Sequence, residues 1–244
     1  MKVVAIIPAR YASTRLPGKP IIDICGHPMI WWVYQQVKKV KGFSEVYVAT
    51  DDDRIMKVCK SCGMNAIMTR DNHPDHISRV QEVSESIEAD YYMCINGDEP
   101  LIEEKCIEKV IPKKIVEEPY FCGARRKLTN PVETVDSGNI KLVMTNNNRC
   151  IYMSRTPVPY PKGTILYDYW KYVGIECFNK KALDLFVSKE KGLAEKIEDI
   201  DHLRFIENGV NIYFKEVNSK SLSVDTKKDL EKVRKMIEKK NNHD

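Results

Sequence analysis

No apolar run in this 244-residue chain approaches the roughly 20 residues that a membrane-spanning helix needs. The start, Met1-Lys2-Val3, passes straight into an apolar run and lacks the layout of a signal peptide, so a cytoplasmic protein without a membrane partner is expected. Charge of one sign is also lacking. The net charge is +4 with both signs interspersed, and the Lys-rich stretch from Lys227 to Lys240 carries Asp229, Glu231 and Glu238, so it reads as a solvated helix face. No nucleic-acid partner is implied. There is no G-x-x-x-x-G-K-[ST] and no G-x-G-x-x-G, which excludes the P-loop and the dinucleotide fingerprint. No Ser-His-Asp or Cys-His pattern suggests a covalent nucleophile. Of the eight cysteines, only Cys59 and Cys62 form a C-x-x-C, without a second pair at zinc spacing. Several cysteines sit in apolar runs such as Tyr92-Met-Cys-Ile95 and read as buried thiols of a reducing compartment.

What is present is enough for one sizeable core, with 43% hydrophobic and 30% charged residues. The most informative stretch is Ile7-Pro-Ala-Arg-Tyr-Ala-Ser-Thr-Arg-Leu-Pro-Gly-Lys-Pro20. It follows the apolar run Val3–Ile7, a buried strand, and precedes the helical periodicity of Met29 to Val40. Arg10, Arg15 and Lys19 supply fixed cations, and Ser13 and Thr14 supply hydroxyls. A cationic loop at the carboxyl end of a first strand is where an open α/β sheet binds its ligand. Arg forks, a Lys point charge and the backbone N–H groups suit a polyphosphate, although an exposed basic turn has the same composition.

Strand and helix patterns alternate through the first half. Strands are expected at Glu45–Ala49, Ala66–Met68 and Tyr91–Ile95. Helices are expected from Asp51-Asp52-Asp53 to about Cys62, from Ser78 to Ile87 and from Ile102 to Val116. This order predicts an α/β fold with a mainly parallel, Rossmann-like sheet and helices on both faces. Beyond it, Phe121–Arg126, Ile140–Met144 and Ile151–Met153 are β-like, with Asn146-Asn147-Asn148 as a turn. Tyr172–Phe178 and Val210–Val217 read as strands, and Glu195–Asn208 and Thr226–Lys240 as helices. A nucleotide-binding α/β domain over 1–119 and 216–244 is therefore expected, with a smaller β-rich lobe over 120–215.

Two carboxylates stand at strand ends. Asp98 closes a buried strand in Gly97-Asp-Glu-Pro100, and Asp225 precedes the last helix in Ser223-Val-Asp-Thr226. Such a pair can share one hard cation, and oxygen ligands suit Mg²⁺. Asp98 as a turn-former and Asp225 as an N-cap are the alternatives. Gly97 permits a close backbone approach to a ligand. His73 and His76 lack a third partner at metal spacing and read as surface or capping residues.

The segment Ile7–Pro20 resembles the nucleotide-binding signature of the CMP-KDO synthetase family, which are CTP-dependent cytidylyltransferases. The resemblance extends from Val3 to Ile237. It implies a nucleotide-diphospho-sugar transferase-like fold, a CMP-sugar product for polysaccharide biosynthesis, and a homodimer joined through the β-rich lobe. It also implies a CTP site formed by Pro8, Ala9, Arg10, Ser13, Arg15, Lys19, Arg70, Arg79 and Gly97. Arg15, Lys19, Asp98 and Asp225 are the implied catalytic residues, the two aspartates holding Mg²⁺. Arg79 belongs to Asp75-His-Ile-Ser-Arg79, which stands where the family has S-G-T-D/E-R.

On the acceptor side the resemblance implies Asn96, Arg155, Tyr172, Glu176, Asp201 and His202. Arg155, in Tyr152-Met-Ser-Arg-Thr-Pro-Val-Pro159, matches a family arginine suited to an acceptor carboxylate. The other five depart from the family pattern: Asn96 replaces Gln, Tyr172 and Glu176 replace His and Tyr, and Asp201 and His202 replace Glu and Gln. A site built to hydrogen-bond hydroxyls does not tolerate such changes without penalty. The expected reaction transfers CMP from CTP to an acidic acceptor, either KDO-like or an amino-modified ulosonic acid suited by Glu176. The alternatives are a phosphonate or phosphate acceptor, for which Arg125-Arg126 would add charge if near the site, and a non-catalytic nucleotide-binding paralogue.

Overall fold

The computed structural model describes residues 1–12, 16–164 and 166–241, with no account of the side chains of 240 and 241. Ser13 and Arg15 therefore lie outside the described residues. The first half contains β1 (Val3–Ala9), β2 (Asp23–Ile24), β3 (His27–Pro28), α1 (Met29–Lys38), β4 (Glu45–Thr50), α2 (Asp53–Ser61), β5 (Ala66–Met68), α3 (His76–Ser86), β6 (Tyr91–Ile95) and α4 (Glu104–Glu108). The second half contains β7 (Phe121–Lys127), α5 (Pro131–Val135), β8 (Lys141–Met144), β9 (Cys150–Ser154), β10 (Trp170–Phe178), α6 (Lys180–Ser188), α7 (Leu193–Glu198), α8 (Leu203–Glu207), β11 (Ile212–Glu216) and α9 (Lys227–Asn241).

Among the described residues one sheet runs in the order β11-β7-β10-β6-β1-β4-β5. The block β6-β1-β4-β5 is parallel throughout, with Ile6 opposite both Tyr47 and Cys94. Strands β1 and β6 are covered on both faces, which explains their unbroken apolar sequences. Successive residues of β1 feed different cores. Val3, Ala5 and Ile7 pack with Ile30, Val33 and Val37 of α1, and Ile55 of α2. Val4 and Ile6 join the core of Val80 and Val83 of α3, and Leu183 and Phe186 of α6. The α/β class read from the alternating pattern is the one observed.

Strand β10 runs antiparallel between β6 and β7, with Glu176 opposite Cys94. Strands β7, β10 and most of β11, all from the segment expected to be β-rich, are thus continuous with the main sheet. The β8–β9 hairpin stands off that path, pairing through β8 with the start of β10.

Two expected helices are shorter. Instead of Ile102–Val116 the chain forms α4 alone, because Pro112 has no N–H and disfavours helical geometry at Ile111. The expected Glu195–Asn208 helix is split at Asp199, whose φ of 51° is left-handed. Helix α6 was not anticipated. Its signal was Asn179, which caps the N–H of Ala182 ahead of apolar Ala182, Leu183 and Phe186.

Gly97 sits where β6 leaves the sheet. A Cβ there would lie 2.8 Å from the Pro8 carbonyl oxygen. The close approach expected of this glycine is thus to the β1 backbone. Gly97→Ala should cost about 1–3 kcal/mol by forcing the two strand ends apart. Thermal denaturation checks this, and an unchanged midpoint would mean the strand ends yield without strain.

Candidate active site

The carboxyl ends of β1 and β6 open into a cavity of about 690 Å³. Pro8, Ala9, Arg10, Lys19, Gly97 and Asp98 line one part, with Asp225 beside them. Asn96, Arg155, Tyr172, Asp201 and His202 line another part. Most of the expected residues therefore share one cavity.

At the first end, the Gly18 N–H donates to the Tyr11 carbonyl at 3.1 Å and closes the loop after β1. Lys19 then begins a short 3-10 turn. Its Nζ lies 2.7 Å from Asp98 Oδ2 and 3.2 Å from Asp225 Oδ1. The Val224 N–H donates to the Asp98 carbonyl at 2.9 Å, which brings Asp225 in from a distant part of the sequence. Burial opposes the Lys19 charge, but Asp98 and Asp225 outweigh it and raise its pKa above the ordinary value. Asp98 Oδ1 is buried and makes no hydrogen bond among the described residues. Two convergent carboxylates, one with an unsatisfied buried oxygen, fit a hard divalent cation.

Arg79 is buried, donates to Thr69 Oγ1 and pairs with Asp51 at 2.7 Å. It lines the cavity, tied to the ends of β4 and β5. Arg70 does not join it. Its side chain is 62% exposed and lies 3.5 Å from Glu82, so it faces solvent in this arrangement. His73 is not a surface residue as expected: it is buried between Glu82 and Ser78.

At the other end, Glu176 is fully buried. Its carboxylate accepts from His202 Nε2 at 2.6 Å, from His76 Nε2 at 3.0 Å and from the Tyr172 hydroxyl. Burial opposes its ionisation, but His76 and His202 outweigh it and hold the carboxyl far below the usual range. His76 is likewise opposed by burial and raised by Glu176 and by Asp201, whose Oδ2 is 3.5 Å from Nδ1. Burial would push Asp201 up, yet its bond with His76 lowers it. This corrects two expectations. Glu176 lies behind the wall, its charge satisfied, so it offers no free carboxylate to an amino substituent. His76 is a member of the site, with 27% of its side chain exposed.

Arg155 reaches the cavity, but much of its fork is committed. It donates to the carbonyls of Glu198 at 2.6 Å, Asp199 at 2.7 Å and Ser137 at 3.2 Å. It therefore holds the break between α7 and α8, besides facing the cavity. Arg125 and Arg126 lie away from the cavity. Arg125 is buried, stacks 4.1 Å over Trp170 and bonds Asn148, while Arg126 pairs with Glu133. Neither supplies charge to an acceptor.

His76 and the ion pairs beneath it were missed by sequence reasoning. Asp75 caps α3 through the Ser78 N–H at 2.7 Å. It also lies 3.5 Å from Arg204, which makes a bidentate pair with Glu195. The available signal was Asp75 as an N-cap, since a cap there makes His76 the first residue of a helix starting at the strand ends.

The family model described as cytidylyltransferase matches residues 4–217. The chain is 36% identical over 236 residues to 3-deoxy-manno-octulosonate cytidylyltransferase of Escherichia coli, covering 97% of this chain and 96% of that protein. It is 40% identical over 246 residues to the protein of the same name from Fusobacterium nucleatum, covering 99% of each. The solved structure of CMP:2-keto-3-deoxy-manno-octonic acid synthetase complexed with CTP superposes with a TM-score of 0.93 at 36% identity, covering 98% of this chain and all of that one.

The His73–Glu82 contact generates a pH prediction. Burial pushes Glu82 up, but His73, the Arg70 N–H and the Arg70 charge together hold it below the ordinary carboxyl value. A depressed carboxyl stabilises the fold above its unfolded pKa of about 4.3 and loses that contribution as pH falls through the folded value. Glu82→Gln should therefore cost about 1–3 kcal/mol at neutral pH, with the difference from wild type vanishing in acid. Denaturant titration across pH measures it, and a pH-independent difference would mean the charge is not the source.

Proposed function

As the chain belongs to the cytidylyltransferase family, we propose that it is a Mg²⁺-dependent enzyme that transfers CMP from CTP to an acidic acceptor of the KDO class. The observation that carries this reading is the Lys19 ammonium held between Asp98 and Asp225 at the mouth of the parallel strands. A non-catalytic paralogue has no need of that assembled trio.

In this reading Pro8, Ala9 and Arg10 meet the nucleotide with Lys19, and Ser13 and Arg15 belong to the same loop. Arg79 anchors the base-side wall. Asp98 and Asp225 would hold Mg²⁺, which supplies Lewis-acid stabilisation of the phosphate charge. An acceptor hydroxyl oxygen attacks the α-phosphorus, a new phosphorus–oxygen bond forms as the hydroxyl proton passes to water, and the bond to pyrophosphate breaks. Lys19 offsets charge on the phosphates, and catalysis is mainly positioning and charge stabilisation. Asn96, Tyr172, Asp201, His202 and Arg155 surround the acceptor, Glu176 fixing the two histidines and the tyrosine. Arg155 keeps part of its fork available for a carboxylate.

We assign nucleotide binding to 1–119 and 216–244, and acceptor binding and pairing to 120–215. Exposed apolar side chains at Val132, Val135, Tyr160 and Leu166 support a homodimer formed through that second part. The eight cysteines are all free thiols, which suits a cytoplasmic enzyme supplied with CTP. No helix among the described residues is long and apolar enough to cross a membrane.

Asp225→Asn should lower pyrophosphate release from CTP by about 10²-fold or more while the thermal midpoint moves little. Turnover at the wild-type rate would exclude a metal role for Asp225. With wild type, CTP and Mg²⁺, release should occur with KDO or its 8-amino analogue and not with a simple phosphonate. Release with the phosphonate alone would overturn the acceptor class and leave the cytidylyltransferase assignment standing.

A further inference from the structure

We propose that His76, His202 and Glu176 form a second metal site, for a zinc-type divalent ion, at the acceptor end of the cavity. One ligand atom from each of the three lies within 4.8 Å of the others. That spacing lets a small closure bring them onto one ion with bonds of about 2.0–2.2 Å. Three separate elements deliver them. His76 is the first residue of α3, Glu176 lies within β10, and His202 immediately precedes α8.

Three further observations point to a ligand set. The Asp201 carboxylate stands 3.5 Å from Nδ1 of His76, on the ring nitrogen opposite the one that faces Glu176. A carboxylate on the far nitrogen is the usual way a metal-binding histidine is oriented and made more basic. The Tyr172 hydroxyl likewise fixes the Glu176 carboxylate from the side. His202 is buried, with Nδ1 unpartnered and Nε2 directed at Glu176, so the ring offers its Nε2 toward the cluster.

The donor chemistry separates this site from that of Asp98 and Asp225. Two carboxylates are hard oxygen donors and suit Mg²⁺. Two imidazoles and one carboxylate are borderline donors and favour Zn²⁺ or Co²⁺ over Mg²⁺. Glu176 and His202 are buried, while His76 is partly exposed on the cavity side. An ion can therefore enter from the cavity, and a three-ligand set leaves a position open there. An acceptor carboxylate or hydroxyl oxygen would fill it.

The test is a Co²⁺ titration of the whole protein in excess Mg²⁺, followed by visible absorption. One Co²⁺ per chain should bind with the absorption of a low-symmetry, nitrogen-ligated ion. His76→Gln and His202→Asn should abolish it, Asp201→Asn should weaken binding about 10–100-fold, and Asp225→Asn should leave it intact. Zn²⁺ should displace the Co²⁺ and raise the thermal midpoint of wild type, not of His76→Gln. Circular dichroism establishes that each variant folds, and partly exposed His76 provides the decisive variant if buried His202 does not tolerate change. No nitrogen-ligated absorption, or absorption unchanged in His76→Gln, or its loss in Asp225→Asn, would overturn the proposal. None of these readouts depends on turnover, so the cytidylyltransferase reading stands or falls separately.

Discussion

The contact of Lys19 with Asp98 and Asp225 is the constraint on which the nucleotide end is built. It joins three segments that the chain separates widely: the loop after β1, the turn after β6 and the approach to α9. Without the ammonium the two aspartates would repel each other. A cation between them removes that repulsion and fixes their spacing. The supports are equally local. Gly97 lets the β6 turn pass the Pro8 carbonyl, and the Val224 N–H binds the Asp98 carbonyl. This end of the cavity is therefore preorganised by short contacts between turns that follow or precede regular elements.

The acceptor end uses a different device. Glu176 is an ionised group in the sheet interior, tolerable only because His76, His202 and Tyr172 surround it. A shift of pairing register between Val173 and Glu176 marks this part of β10. Opposite it, Asn96 lies so close to Gly174 that a Cβ there would fall 2.4 Å from its amide nitrogen. Removing a buried partner from such a cluster leaves a charge without compensation. A substitution at any one of His76, Tyr172, Glu176 and His202 therefore affects how the others are satisfied.

Legibility in the sequence follows from how local each signal is. The parallel block was readable because β1 and β6 are continuous apolar runs separated by helical periodicity. Asp98 was readable because it closely follows the apolar strand β6, and Lys19 and Asp225 because each stands at or just before the start of a helical turn. The membership of His76 was not, since its partners Glu176 and Asp201 lie 100 or more positions away, brought near by the antiparallel return of β10. The same distance hid the burial of Glu176. A glutamate in Tyr172-Val-Gly-Ile-Glu176 looks like an added surface charge until two imidazoles are seen against it. Arg155 was read as a ligand-binding fork, but residues 198 and 199 claim its donors only after the left-handed turn at Asp199 presents their carbonyls.

The two ends of the cavity thus differ in what fixes them. The end around Lys19 depends on hard charges gathered from the loop after β1, the turn after β6 and the approach to α9. The acceptor end depends on a cluster whose members bond to one another before they bond to a substrate. On the proposed assignment, specificity there falls to the spare donors of Arg155, the exposed edge of His76 and the Asp201 carboxylate, each tied to neighbouring groups. On that assignment a change of acceptor bears on how a buried carboxylate is neutralised, because the imidazoles that neutralise it line the cavity.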